Sequence, residues 1–478
     1  MKRRDALHSL SLLALPGLLS ACGGPDEYDP NPPPPPTPAD RWTPGLLLNS
    51  SSFSSGAQAT SIQADGPERM LALVGSGSDL LAYGVNVSTG VALALQGPAG
   101  FPGIMVAAPD MRGGVLRVWQ QSDTTLRQLL YALSDGAGGQ SGPIRTLPLD
   151  PSPSLQAWLL AQDTGGNALV RWAGGPLDNT GQPTQGGLLK FSASTQLWQH
   201  LPLPSPAASP ILLLSAGAVF DTTGRAWLIQ PTPGAVAGEW TLALYALPAQ
   251  GSSWQALASL PATSARSAYF QIGMDASGRL VVAHSVAYDP NGSAPLVSLS
   301  RYDPASSRWN TLTAPNLPIH SHRMSVDSLG NIWLTGPSSY ARYDNERAAW
   351  TGPREFDFAP VDAFQRNGEW PLAVATDSRG NAWAVGVRRK AAGQDLPTLW
   401  INFFDAGTRQ WSQPGSLGVQ GGENPSFSQP AQGEGNTFFQ VALGLDDQGR
   451  PVAAVTELLR ASLAGGLRRS WVARGLSA

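Results

Sequence analysis

Apolar and polar positions in this chain follow one short pattern that recurs from residue 65 to the end: an apolar run, then Asp-x-x-Gly, then a second apolar run. Full copies place Asp and Gly at 110/113, 163/166, 221/224, 275/278, 327/330, 377/380 and 446/449, and Asp65 with Gly66 begins a degenerate eighth. From Asp65 to Asp446 the spacing averages about 54 residues, close to the periods of solenoids and propellers. Asp at the first position of a tight turn caps backbone amides, and Gly at the fourth accepts positive φ where the ladder resumes, so each copy predicts a β-hairpin. The aspartates are expected to be structural. Strands such as Arg225 to Ile229, Asn331 to Leu334 and Asn381 to Ala384 follow the turn. Third strands end in Leu244 to Ala246, Arg301 to Asp303, Arg342 to Asp344 or Phe403 to Asp405, and a fourth opens near Trp198, Trp254, Trp309, Trp350, Trp411 and Trp471.

Four short strands per repeat define a propeller blade. A blade cannot bury both faces alone, so neighbouring blades stack round an axis, and the tryptophans are expected to fill the wedges between sheets. The fold class is all-β, a propeller of eight four-stranded blades; seven, the alternative, would need about 62 residues each. Trp42 marks a candidate extra outer strand that would close the ring against the last blade, and Trp471 competes for that place.

Composition agrees with a folded, turn-rich body. Charged residues are 14% of the chain, the hydrophobic share is 42%, and Gly 53 with Pro 42 amount to about a fifth of it. The net charge is −3; Lys2, Arg3, Arg4 and Asp5 leave with residues 1–21, so 28 basic then face 33 acidic residues, or −5. No basic run survives outside the leader, so a nucleic-acid partner is not expected. One cysteine excludes an intramolecular disulfide and a Cys-rich metal cluster.

That cysteine ends a tripartite export signal: Lys2, Arg3 and Arg4, an apolar stretch from Leu7 to Leu19, then Leu19, Ser20, Ala21 and Cys22. About 13 apolar residues are too few to span a bilayer that needs roughly 20, so residues 1–21 are expected to be a cleaved signal. The tetrad resembles the lipobox of bacterial lipoproteins. That resemblance implies a diacylglyceryl thioether on Cys22, cleavage before it and acylation, palmitate in type, of the new amine. Arg3-Arg4 resembles a twin-arginine signal, although Ala6 stands where that pattern has a large apolar residue, and paired basic residues also open general-pathway leaders. Gly23, in place of an inner-membrane-retaining aspartate, implies by the same resemblance a lipid anchor in the outer membrane. Residues 22–40 carry Pro32 to Pro36 and Pro38, a composition that favours extended polyproline II and a semi-rigid spacer. Residues 41–478 are expected to form the propeller.

With Asp-x-x-Gly-Asn-x-Trp in its best copies, at Asp327 and Asp377, the repeat resembles propellers of the streptogramin-lyase, sensor-periplasmic and NHL-like kind. The likeness covers nearly the whole mature chain and implies the fold, not an activity, because that shape hosts enzymes, sensors and scaffolds. Sialidase-type Asp boxes place Gly two residues after Asp, not three. The Ala-Leu-Asp-x-x-Thr-Gly repeat of outer-membrane assembly propellers is absent.

The repeat phase assigns connections to the two faces of the disc. Turns after first and third strands are short. Second-to-third connections hold 174–186, 231–239, 287–295 and 388–396, and blade-to-blade connections hold 351–369 and 415–436, so long loops gather on one face, where binding usually resides. Residues entering the innermost strands from that face would ring the channel: Arg266, His320, His322, Arg323, Glu369, Trp370 and Asn436. His320 and His322 put two imidazoles on one side of a strand, a spacing compatible with a divalent metal, but third and fourth ligands are missing. A polar channel lining is therefore expected, with no resident metal and no cofactor. Streptogramin-lyase-like chemistry would need metal, His and carboxylate together, which only Glu369 near His320 and His322 could supply. No Gly-x-Ser-x-Gly elbow or P-loop is present. The expectation is a non-enzymatic binding or scaffold propeller, lipid-anchored in the bacterial envelope, whose loop-rich face meets a protein or glycan. The alternative is a metal-assisted lyase or hydrolase at the channel mouth.

Overall fold

The computed structural model describes residues 46–53, 61–76, 79–95, 97–98, 104–110, 114–121, 126–135, 142–204, 216–233, 240–260, 270–285, 297–312, 323–335, 339–355, 373–388, 398–412, 415–416, 437–462 and 465–475. They form eight antiparallel sheets, seven of which run from innermost to outermost strand in chain order: 61–94, 104–146, 156–201, 217–256, 270–312, 323–355 and 373–411. The seventh adds a short strand, Gly415–Ser416, on its third. The eighth blade takes its three inner strands from Thr437–Leu445, Pro451–Ser462 and Gly465–Arg474, and its outermost from the other end of the described chain, Leu46–Phe53. Each innermost strand touches the innermost strands of both neighbouring blades, and Ser61–Gly66 meets Thr437–Leu445, so the ring closes at eight. An N-terminal strand thus locks the last blade, as expected, but it begins at Leu46. Trp42 lies outside the described residues. Trp471 sits in the third strand of that blade, paired between Val455 and Leu47, and does not open a fourth.

Burial explains why the second strand of each blade is almost continuously apolar. It is covered on both sides, and successive residues go to opposite interfaces. In the fourth blade Ala226 and Leu228 pack towards the third, whereas Trp227 and Ile229 pack towards the fifth. The buried apolar residues accordingly separate into eight clusters, one at each junction between neighbouring blades. Aromatic rings bridge these junctions as expected. Tyr131 of the second blade meets Phe191 and Trp198 of the third edge-on or tilted, at 5.1–6.3 Å within the trio. Trp333 and Tyr340 of the sixth blade pack on Phe404 and Trp411 of the seventh, and the Trp411 indole N–H donates to the Tyr340 hydroxyl at 2.7 Å.

Towards the axis the wedge narrows and the inner strands need small residues. A Cβ on Gly217 would stand 2.8 Å from a Phe270 ring carbon, and one on Gly273 would stand 2.7 Å from Val326 Cγ2. Each glycine faces the innermost strand of the next blade, whose side chains pack into the space a Cβ would take.

Candidate functional site

One face of the disc is built from the Asp turns, and its carboxylates are consumed by the fold. At Asp163, Oδ1 accepts from the amides of Gly165 and Asn167, both at 2.9 Å, while Oδ2 accepts from Asn167 Nδ2 at 2.7 Å. Asp327 with Asn331 and Asp377 with Asn381 repeat the arrangement. The Asn side chain does a second job: its Oδ1 accepts the amide of Ala193, Asn345 or Ala406 in the turn after the third strand, at 2.9–3.0 Å. One residue therefore welds both turns of a blade on this face. Arg279 and Arg450 replace that Asn and donate through Nε to Asp275 and Asp446 at 2.8 and 2.7 Å. At Asp221 the Trp227 indole N–H takes the place, at 3.0 Å. Burial lifts the Asp221 carboxyl, but donors from Thr223, Trp227 and Arg225 outweigh it and hold the group below the usual range. The glycines that end six of these turns have φ between +74° and +84°, the left-handed region the turn requires.

The degenerate copy behaves differently. Pro67 stands two residues after Asp65, where the other turns offer an amide N–H, and the hairpin closes early with Gly66 paired to Arg69. Asp65 Oδ2 accepts from Arg69 Nη2 at 2.9 Å, but Oδ1 is buried without a hydrogen-bond partner among the described residues. Burial pushes this carboxyl up to about 6 against the pull of Arg69, and the neighbouring Asp110 adds to the rise. Beside it the first and last blades meet, where the Glu68 amide donates to Asp447 Oδ1 at 3.0 Å.

Second strands end, and innermost strands begin, at the opposite face. The described second-to-third connection is that of the third blade, where Ala168–Leu177 and Pro183–Ser192 run as a ten-residue pair round a turn at Asp178, so residues 174–186 form a ladder and a tight turn where a loop was expected. Its base is clamped: Ser152 Oγ accepts from the Gly175 amide at 2.9 Å, and Ser154 Oγ donates to the Gly175 carbonyl at 2.7 Å. At the tip Asp178 accepts from the amides of Thr180 and Gln182 and from the Thr180 hydroxyl, and those bonds hold its carboxyl below the usual range. Leu177 beside it is 53% exposed.

Of the residues expected at the channel mouth, Arg323 opens the innermost strand of the sixth blade, its backbone paired with Thr335. Arg266, His320, His322, Glu369, Trp370 and Asn436 lie outside the described residues, as do Cys22 and residues 1–45. The innermost strand of the eighth blade, Thr437–Leu445, starts one position after Asn436 in the sequence. Deeper in, the first and third blades are joined by Gln162 Nε2 donating to Gln63 Oε1 at 3.1 Å, past the innermost strand of the second. No group of three metal-ligating side chains occurs among the described residues.

Buried cations between blades were not foreseen. Arg342 donates to Asp344 at 3.0 Å and lies over the rings of Trp333 and Phe404, while Arg301 donates to Asn345 Oδ1 at 2.7 Å and lies over Tyr343 of the next blade. The signal was present in the Arg-Tyr-Asp ends of two third strands. Alternation puts Arg and Asp on the same side there, opposite the Tyr.

No family model matches the chain, and no curated protein matches it. Among solved structures it is similar to an oligogalacturonate lyase in complex with manganese, at 11% identity over 78% of this chain and 99% of that one, with a TM-score of 0.45. It is also similar to the β-propeller domain of the trilobed protease from Pyrococcus furiosus, at 9% identity over 78% and 100%, TM-score 0.43. A prolyl endopeptidase aligns at 11% identity over 87% of this chain and 55% of that one, TM-score 0.42. Likeness this low carries no argument about chemistry, and the eight-bladed fold rests on the sheets of this chain itself.

Proposed function

We propose that this protein is a non-enzymatic binding or scaffold propeller, lipidated on Cys22 and tethered in the bacterial envelope, that engages a protein or glycan through its loop-rich face. The observation that carries this reading is the asymmetry of the disc. On the turn face the Asp side chains are spent on their own backbone, whereas the other face presents a clamped ten-residue hairpin and receives the long connections. Rigid blades carrying variable connections suit recognition, because the scaffold bears the folding energy and the loops are left free to diverge. Next to the single carboxylate of Asp178, the amide- and hydroxyl-rich stretch Asn179 to Gln185 at the hairpin tip supports a partner met by hydrogen bonding. The test is retention of envelope macromolecules by the intact lipoprotein and by a variant lacking residues 417–436. Loss of the retained species on deletion is expected; identical retention by both would remove the loop-rich face as the binding surface.

A further inference from the structure

The path of the chain through the last blade decides which face a tether reaches. Innermost strands run from the loop-rich face to the turn face, as in Thr437–Leu445 leading into the Asp446 turn. Pro451–Ser462 returns, Gly465–Arg474 descends again, and Leu46–Phe53, antiparallel to it, climbs from the turn face. Leu46 is paired with Val472, two residues before Arg474. At that level the Gly475 amide donates to the Pro451 carbonyl at 2.8 Å, and Asp446 is close enough to act on the Arg474 guanidinium. The far end of the strand, Phe53, is paired with Gly466 beside the hairpin of the loop-rich face. A tether coming from Cys22 therefore joins the disc at the rim of its turn face.

We infer that the turn face is the membrane-proximal face of the anchored protein, and that the loop-rich face meets a partner not embedded in the anchoring bilayer. This rests on the lipidation of Cys22 proposed above. Two features of the molecule agree with the orientation. The described turns on the proximal face are short and closed by their own hydrogen bonds, so a flat surface can approach them, whereas the hairpin of the third blade would obstruct such an approach from the other side. The Pro-rich run between Cys22 and Leu46 has the composition of a semi-rigid rod, and a rod rising from the bilayer delivers the disc turn face first. Inversion would require it to fold back past the rim.

The height difference is large enough to measure. Ten residues of Ala168–Leu177 at about 3.3 Å each put the hairpin tip roughly 33 Å above the turn level. Thr222, in the Asp221 turn, and Asn179, at the hairpin tip, are both exposed. Thr222→Cys and Asn179→Cys, each in the full lipidated chain, would carry a thiol-linked donor dye. The proteins would be inserted into vesicles of phosphatidylethanolamine and phosphatidylglycerol bearing an acceptor on the lipid headgroup. Energy transfer from position 222 is expected to be at least twofold that from position 179; equal transfer, or more from 179, overturns the orientation. The wild-type chain, whose single cysteine is Cys22, is the control for the anchor. Blocked by lipid it takes up no dye. If it labels, the anchor itself is wrong and the orientation falls with it, a failure distinct from the first.

Discussion

Asp65→Asn isolates a carboxylate that the fold holds at a cost. Its side chain has no exposure, one oxygen lacks a donor, and its pKa stands at about 6 in place of 3.8. The folded chain thus binds this proton more tightly than the unfolded chain does. The group costs nothing below about pH 4, the penalty grows between about pH 4 and 6, and it is fully present above. A rise of about two units corresponds to a ceiling of about 3 kcal/mol, and relaxation round the ionised group reduces the expected value to about 1–3 kcal/mol. Asn keeps the shape and an acceptor for Arg69 while removing the charge. The assay is the difference in thermal midpoint between variant and wild type, at one scan rate from pH 4 to 8, since a chain this large need not unfold reversibly. The two should coincide near pH 4, and the variant should gain as pH rises, with a midpoint near pH 5 and the full difference reached a little above pH 6. Carboxyls held below their ordinary range, such as Asp221 and Asp344, act in the opposite sense and only as pH falls through the acid range, so they do not mimic this signal. A constant difference across the range, or a variant less stable at pH 8, would refute the reasoning.

Asn381→Ala removes the donor to Asp377 and the acceptor for Ala406 together, and should lower stability by about 2–3 kcal/mol in a denaturant titration, more than Ala at the exposed Thr222. Gly273→Val drives a side chain into Val326 and should cost at least about 1–3 kcal/mol, with near-ultraviolet dichroism reporting whether the fifth and sixth blades still pack. Trp333→Ala empties the junction of the sixth and seventh blades and should cost about 3–5 kcal/mol by the same titration. The double variant His320→Ala, His322→Ala should leave metal content, read by elemental analysis, and retention of envelope macromolecules unchanged; loss of a bound metal would favour the lyase or hydrolase alternative.

Eight blades were legible because the Asp turn is a local device. Its carboxylate, its amide donors and its left-handed glycine lie within five residues, so the sequence displays the whole mechanism. The Asn that ties two turns together was visible as a repeated letter, but its acceptor role reaches across 14 to 26 residues and needs the fold. Ring closure was half legible. A closing N-terminal strand was expected, yet Leu46–Phe53 carries no turn signature to fix its start, and Trp471 suggested an outer strand because the third to seventh blades place a tryptophan at or beside theirs. The chemistry of Asp65 could have been read from Pro67, whose missing N–H removes the donor the other copies use. The channel-mouth residues were chosen by phase alone. That method locates the start of an inner strand, as it does for Arg323–Val326, but pairing between distant loops leaves no periodic trace in the chain.

Site-specific photocrosslinking in intact envelopes tests the central claim most directly. A photoreactive residue placed at Asn179 on the loop-rich face, and separately at Thr222 on the turn face, reports which surface meets a partner. Binding through the loop-rich face predicts a discrete adduct with protein or glycan from position 179 and none from 222. Adducts from position 222 alone would contradict it.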